Sequence, residues 1–147
     1  MTDGLDQALA NAGLDLLRAD ASLTVYDGVV PDGVIVAGQP VPAFVVVYTD
    51  LTQPAEATSG ANTLDGLSRH RSVSWYCHCV GADATAARAV AQRVRTALLD
   101  QRPTVAGIPA ESVGLISEVD SAPAGRDESL GVPVMSALRV YQLFASV

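Results

Sequence analysis

Three groups of residues in the middle of the chain have types that invite chemistry. Cys77, His78 and Cys79 run consecutively, as a metal or redox site would begin. In an extended strand the two thiols share a face about 6.6 Å apart, and His78 points away from both. One tetrahedral zinc holds its sulfurs under about 4 Å apart, and a disulfide brings its Cβ atoms to about 4 Å, so this spacing suits neither. A second Cys or His pair that would complete a structural metal site is missing. The thiols are therefore expected in the core and His78 on the opposite face of the same strand. His70 stands between Arg69 and Arg71, with Asp65 and Ser68 upstream. These are the parts of a nucleophilic triad, but closeness in sequence does not give triad geometry, and there is no Gly-x-Ser-x-Gly elbow. Phosphate-cradling glycine loops are also lacking. Asp127 and Glu128 lie beside Arg126, where a solvated salt link is the expectation.

The arginines carry more. Arg88 and Arg95, seven residues apart, share one flank of a helical stripe, and Arg93 falls on the far side. This pattern fits a solvated helix face. It equally fits a face that meets acidic residues of a neighbouring copy, for which the planar arginine fork is well suited. Arg69, Arg71, Arg88, Arg93 and Arg95 are thus the candidate self-association residues.

Composition narrows the classes. The chain has 147 residues, 49% of them hydrophobic and 17% charged, enough apolar content to fill one core and too much for a disordered chain. One domain spanning 1–147 is expected. Its longest apolar run, Pro42 to Tyr48, is strand-sized and far short of a bilayer span, so a soluble, unprocessed protein is expected. Sixteen acids against nine basic residues give a net charge of -7, the wrong balance for a protein that neutralises phosphates. The charge is also lopsided. Residues 1–66 carry nine acids and one arginine, while residues 67–147 carry seven acids and eight arginines. Such a polar chain can associate head-to-side with itself.

Local patterning supplies the elements that must position these residues. Residues 3–19 read as a helix capped by Asp3, with Leu5, Ala8, Leu9, Ala12 and Leu16 on one stripe; Gly4 and Gly13 weaken it. Leu23 to Tyr26 predicts a short strand. Val29 to Pro42, broken by prolines and glycines, predicts a loop with a strand fragment at Val34 to Ala37. Ala43 to Thr49, apolar on both faces, predicts an inner strand. Leu51 to Ser68 reads as a long Thr/Ser/Ala/Gly loop suited to binding or assembly. Ser72 to Val80 predicts a strand with Val73, Trp75, Cys77 and Cys79 on one face, Trp75 being a core residue. A helix follows from cap Asp83 to about Asp100, striped by Ala87, Val90, Ala91, Val94 and Leu98 and ended by Pro103. Val113 to Val119 predicts a strand, Asp120 to Gly131 a polar loop, and Val134 to Ala145 a last strand. Together these predict an α+β fold: a mostly antiparallel sheet of four to five strands with two amphipathic helices on one face.

The stretches "PVPAFVVVYTD", "SVSWYCHCVG", "ATAARAVAQRVRTALLDQ", "SVGLISEV" and "VMSALRVYQLFASV", in that order after a first helix, resemble the tail terminator (tail completion) proteins of long-tailed phages, especially those infecting actinobacteria. The resemblance covers nearly the whole chain and rests on element order and local wording, not on a catalytic signature. It implies a non-enzymatic virion protein without cofactor or metal, located at the neck end of the tail and assembled in the host cytoplasm. Such proteins form a hexameric ring on the last ring of tail-tube protein, stop tube polymerisation and present a surface to the head-side connector. DNA passes through the lumen without specific binding, and no membrane is involved. An acidic chain without a basic stripe fits a channel along which DNA slides. The two long loops are expected to order on docking to tube or neck partners. The alternatives are another neck or connector component, a small-molecule-binding or enzymatic dimer using His70 or His78, and a zinc-dependent module at Cys77 to Cys79.

Overall fold

The computed structural model describes residues 2–52 and 70–146. Helix α1 (Thr2–Arg18) leads through a turn to strand β1 (Val25–Asp27), and a long connection reaches β2 (Phe44–Thr52). Then come β3 (His70–Gly81), α2 (Ala84–Leu98), a single 3-10 turn at Ala110–Ser112, β4 (Ser117–Asp127) and β5 (Val134–Ser146). The five strands form one sheet in the order β1-β2-β3-β5-β4. β1 runs parallel to β2 and every other pair is antiparallel, so the α+β architecture expected from the sequence is the one observed.

The sheet is built around β3, whose alternation sets both faces. Val73, Trp75, Cys77 and Cys79 point to one side and are fully buried. Their register brings Val47 opposite Cys77, Val45 opposite Cys79 and Tyr141 opposite Trp75. This face receives both helices in a single apolar core. α2 contributes Ala87, Val90, Ala91, Val94 and Leu98, the same five positions its periodicity picks out. The buried face of α1 is wider than the expected stripe. Leu14 and Leu17 are buried with Leu9 and Ala12, while Leu5, Ala8 and Leu16 are only partly covered.

α1 begins at Thr2, so Asp3 lies inside the helix instead of capping it. Asp83 does cap α2: its carboxylate accepts the Ala86 N–H at 2.8 Å. α2 stops at Leu98, before Pro103. Leu99 turns to extended backbone and Asp100 adopts a left-handed φ of 61°, which breaks the helical path. Gly81 joins β3 to α2 at close quarters, since a Cβ there would lie 2.6 Å from Ala86 Cβ.

Two loop expectations are corrected. Val34 to Ala37 forms no strand. Val34 and Ile35 instead pack with Tyr26, Val30, Val41 and Leu130 over Phe44, Val80 and Val134, a second small core on the helix-free face. The fourth strand does not end at Val119. It starts at Ser117 and runs to Asp127, through most of the expected polar loop. Register shifts between Glu118 and Asp120 and between Ala122 and Gly125 mark two bulges, and Pro123 sits within the second. An edge strand tolerates both because its outer backbone groups need no strand partner. The expected loop Leu51 to Ser68 contributes Leu51 and Thr52 to β2; its residues from 53 onward lie outside the described residues.

Candidate functional site

The cysteines lie in the helix-side core. Both thiols are free and buried, and each donates to a backbone carbonyl two residues earlier: Cys77 to Trp75 at 3.8 Å and Cys79 to Cys77 at 3.7 Å. Burial lifts the Cys77 thiol well above its ordinary range, with Cys79 adding to it, and pushes Cys79 up to about 12. A thiol that keeps its proton is a poor nucleophile and a poor metal ligand. His78 projects from the opposite face, half-buried, with its ring edge-on to Tyr48 at 5.4 Å between centroids.

Beside His78 is a shallow recess of about 170 Å³, lined by Val46, Tyr48, Val80, Asp127, Ser129 and Leu130. It gathers a serine, a histidine and an aspartate that sequence spacing does not connect. Their order is wrong for acyl transfer. Ser129 bonds Asp127 directly, its N–H reaching the carboxylate at 2.8 Å. That bond, then the Ser129 side chain, and more weakly the charge of His78 hold Asp127 below the usual carboxylate range. A nucleophilic triad needs the histidine between the other two. The triad sketched around His70 is not tested, because Asp65 and Ser68 lie outside the described residues.

Among the candidate interface residues, Arg69 also lies outside the described residues. Arg71 is half-buried in β3 on the helix-bearing face, opposite Ala145. The three arginines of α2 divide between two flanks. Arg93 is exposed on the flank beside the turn after α1, its guanidinium donating to the Ser22 carbonyl at 3.3 Å near the Asp20 carboxylate. At about 100° per residue, Arg88 and Arg95 sit roughly 140° and 160° around the helix from Arg93. They therefore face away from the turn after α1 and toward the β4 side. Both are exposed, and neither makes an ion pair or hydrogen bond among the described residues.

Two features escape single-sequence reading. Glu118, Arg139 and Tyr141 form a half-buried clip: the Tyr141 hydroxyl donates to Glu118 at 2.9 Å, and Arg139 stands 3.9 Å from the same oxygen. Arg139 also donates to the carbonyl of Ala122 at 3.0 Å, stapling β4 to β5 across the bulges. The second is a set of exposed aromatics on the helix-free face, with Tyr48 45%, Tyr76 38% and Phe144 49% exposed. Their even numbering along paired strands was the available signal, but it needed the register to be read.

One of the comparisons finds a likeness. A chain from the virion of a native gene transfer agent (GTA) particle superposes with a TM-score of 0.67, covering 97% of this chain and 98% of that one. Identity is 19%, so the likeness is one of fold. No protein-family model matches the chain, and no curated protein matches it.

Proposed function

We propose that this protein is a structural component of a phage-like virion, without enzymatic activity. More narrowly, we assign it to the tail terminator type: one domain that assembles into a ring on the end of the tail tube, stops tube growth and receives the head-side connector. The observation that carries the reading is the end-to-end match to a GTA virion chain, which leaves only a few residues of either chain unaccounted for. An enzyme grafted on the same fold would be expected to carry a site of its own, and the recess beside His78 has the wrong connectivity for a nucleophilic triad. In this reading Arg88 and Arg95 make the contact between copies, Arg93 holds α2 in register with the turn after α1, and Arg71 adds a basic residue near the start of β3; Arg69 lies outside the described residues. The tube protein and the connector are the further partners.

Native mass spectrometry of the purified chain, with and without a chelator, followed by mixing with tail tubes and electron microscopy, tests the proposal. A metal-free ring, six-membered by resemblance, or a cap confined to tube ends is the expected outcome. A dimer that holds zinc or a small molecule and leaves tube ends bare would overturn it. Binding to the portal-side connector while tubes stay uncapped would favour another neck component.

A further inference from the structure

Strand order converts the charge asymmetry of the sequence into a polarity across the molecule. α1, β1 and β2 lie at the β1 side of the sheet, and β5, β4 and α2 lie toward the other; of the first 52 residues only the connection 29–42 crosses the helix-free face to reach Leu130 and Val134. Residues 1–52 hold seven aspartates against one arginine. On that side Asp27 and Asp50 are exposed and have no ion-pair partner among the described residues. Asp27 is opposite Val47 in the register and so leans toward the helices, while Asp50, three residues further along β2, leans to the other face. On the far side Arg126 is engaged by Glu128 at 2.7 Å, and Arg139 by Glu118. That leaves Arg88, Arg95 and Arg102 unpaired among the described residues, and Arg88 and Arg95 present their charge together from the α2 flank, about 10.5 Å apart along the helix axis.

The two edges also differ in what they leave open. β1 pairs only with Val45, Val46 and Val47, so the outer edge of β2 from Tyr48 to Thr52 has no strand beside it among the described residues. Tyr48 and Leu51 are exposed there. The β4 edge is blunted by its bulges and Pro123, which argues against strand addition on that side. An acidic, partly apolar edge that is open among the described residues thus faces one way, and an arginine-bearing helix flank the other.

We infer that the α2 flank bearing Arg88 and Arg95 docks on the β1–β2 edge of a second copy, pairing with Asp27 and Asp50 and covering Tyr48 and Leu51. The two surfaces are different, so the contact is heterologous, repeats from copy to copy, and closes into a ring if the rotation allows. The inference rests on the ring-forming reading above and supplies the contact it requires.

A charge swap tests it with the full chain. Arg88→Glu with Arg95→Glu, and separately Asp27→Arg with Asp50→Arg, should each weaken self-association about tenfold or more, in solution or on tube ends. Mixing the two variants restores both kinds of contact in an alternating ring, and the fourfold variant restores them in a single chain. Recovery in either case is the expected result. Circular dichroism checks that each variant is folded. If a reversal impairs folding, Arg88→Gln with Arg95→Gln and Asp27→Asn with Asp50→Asn replace it, each expected to weaken association in a salt-insensitive way. Rings that survive the reversals, or folded variants that fail to recover on mixing and on the fourfold swap, overturn this contact and leave the virion reading standing. A wild-type chain that neither self-associates nor caps tubes overturns both.

Discussion

Replacing Gly13 by alanine should destabilise this protein, although alanine is the better helix former. In an open helix position the exchange gains about 1 kcal/mol. At Gly13 the new Cβ would lie 2.3 Å from Trp75 Cε2 and 2.7 Å from both Cδ2 and Cζ2. Ordinary carbon contacts are at about 3.5–4.0 Å, so three ring atoms overlap at once. The indole cannot yield easily. Trp75 is fully buried, and its N–H donates to the Ala10 carbonyl at 3.2 Å, tying the ring to the same helix. Overpacking of this severity costs about 3 kcal/mol, and loss of the indole hydrogen bond about 1 kcal/mol more. Against the helix gain of about 1 kcal/mol, the net loss is about 3 kcal/mol. For a chain of this size that lowers Tm by roughly 9 °C.

Trp75 is the chain's one tryptophan, so its fluorescence during urea unfolding reports directly on the contact. Gly4→Ala is the internal control, because a Cβ there meets nothing within 4 Å. It should leave the urea midpoint unchanged or raise it slightly, while Gly13→Ala lowers it at constant m-value. A Gly13→Ala midpoint at or above wild type would refute the claim that α1 is seated by the Trp75–Gly13 contact.

Two further outcomes follow from buried polar groups. Cys77 and Cys79 keep their protons in the folded chain above the ordinary thiol value of 9.0, whereas the unfolded chain releases them. Their contribution is therefore complete below about pH 9 and is lost as pH rises past it, by a few kcal/mol (on the order of 3) for the pair between pH 8 and pH 10. Tyr141, raised by burial and then by its bond to Glu118, acts in the same direction. Urea midpoints at the two pH values measure the effect, and an equal drop in a Cys77→Ala, Cys79→Ala variant would remove the thiols from the explanation. Thr49 Oγ1 is sealed from solvent without a hydrogen-bond partner among the described residues. Thr49→Val keeps the shape and removes the unpaired hydroxyl, so it should raise stability by about 1 kcal/mol; a lower midpoint would mean that the hydroxyl is satisfied.

What the sequence disclosed depended on whether a residue's role was local. α2 was legible position by position, because its five buried residues repeat at helical spacing and its cap is four residues from its first buried alanine. The faces of β3 were legible for the same reason, since alternation alone puts Trp75, Cys77 and Cys79 together. β4 was not. Ser121, Pro123 and Gly125 have loop chemistry, and what makes them strand is pairing with β5 and the Arg139 bond to the Ala122 carbonyl. Gly13 reads as a helix weakness, and the reason it is needed lies on another element, in the Trp75 ring packed against it. The stretch Val29 to Pro42 reads as loop with a strand fragment at Val34 to Ala37; the loop is there and the fragment is not, because its residues cover Phe44 and Val80 on a sheet face the loop does not itself define.

The candidate site shows the same division at a larger scale. The acidic first half and arginine-rich second half are plain in the sequence, but a linear asymmetry need not survive folding. Had β5 and β4 added beside β1, aspartates and arginines would have shared an edge and neutralised one another within each copy. They are kept apart because β1 joins the outer side of β2 while β5 inserts between β3 and β4. α2 completes the separation by engaging Arg93 with the Ser22 carbonyl and leaving Arg88 and Arg95 on the opposite flank. The Trp75–Gly13 contact then matters beyond stability. It fixes α1 and the turn that follows it against the sheet, and Arg93 fixes α2 against that turn. The acidic edge and the arginine flank are thereby held as opposite sides of one rigid body. A head-to-tail ring needs that rigidity, because a small error in the angle between the two surfaces accumulates at every subunit and prevents closure.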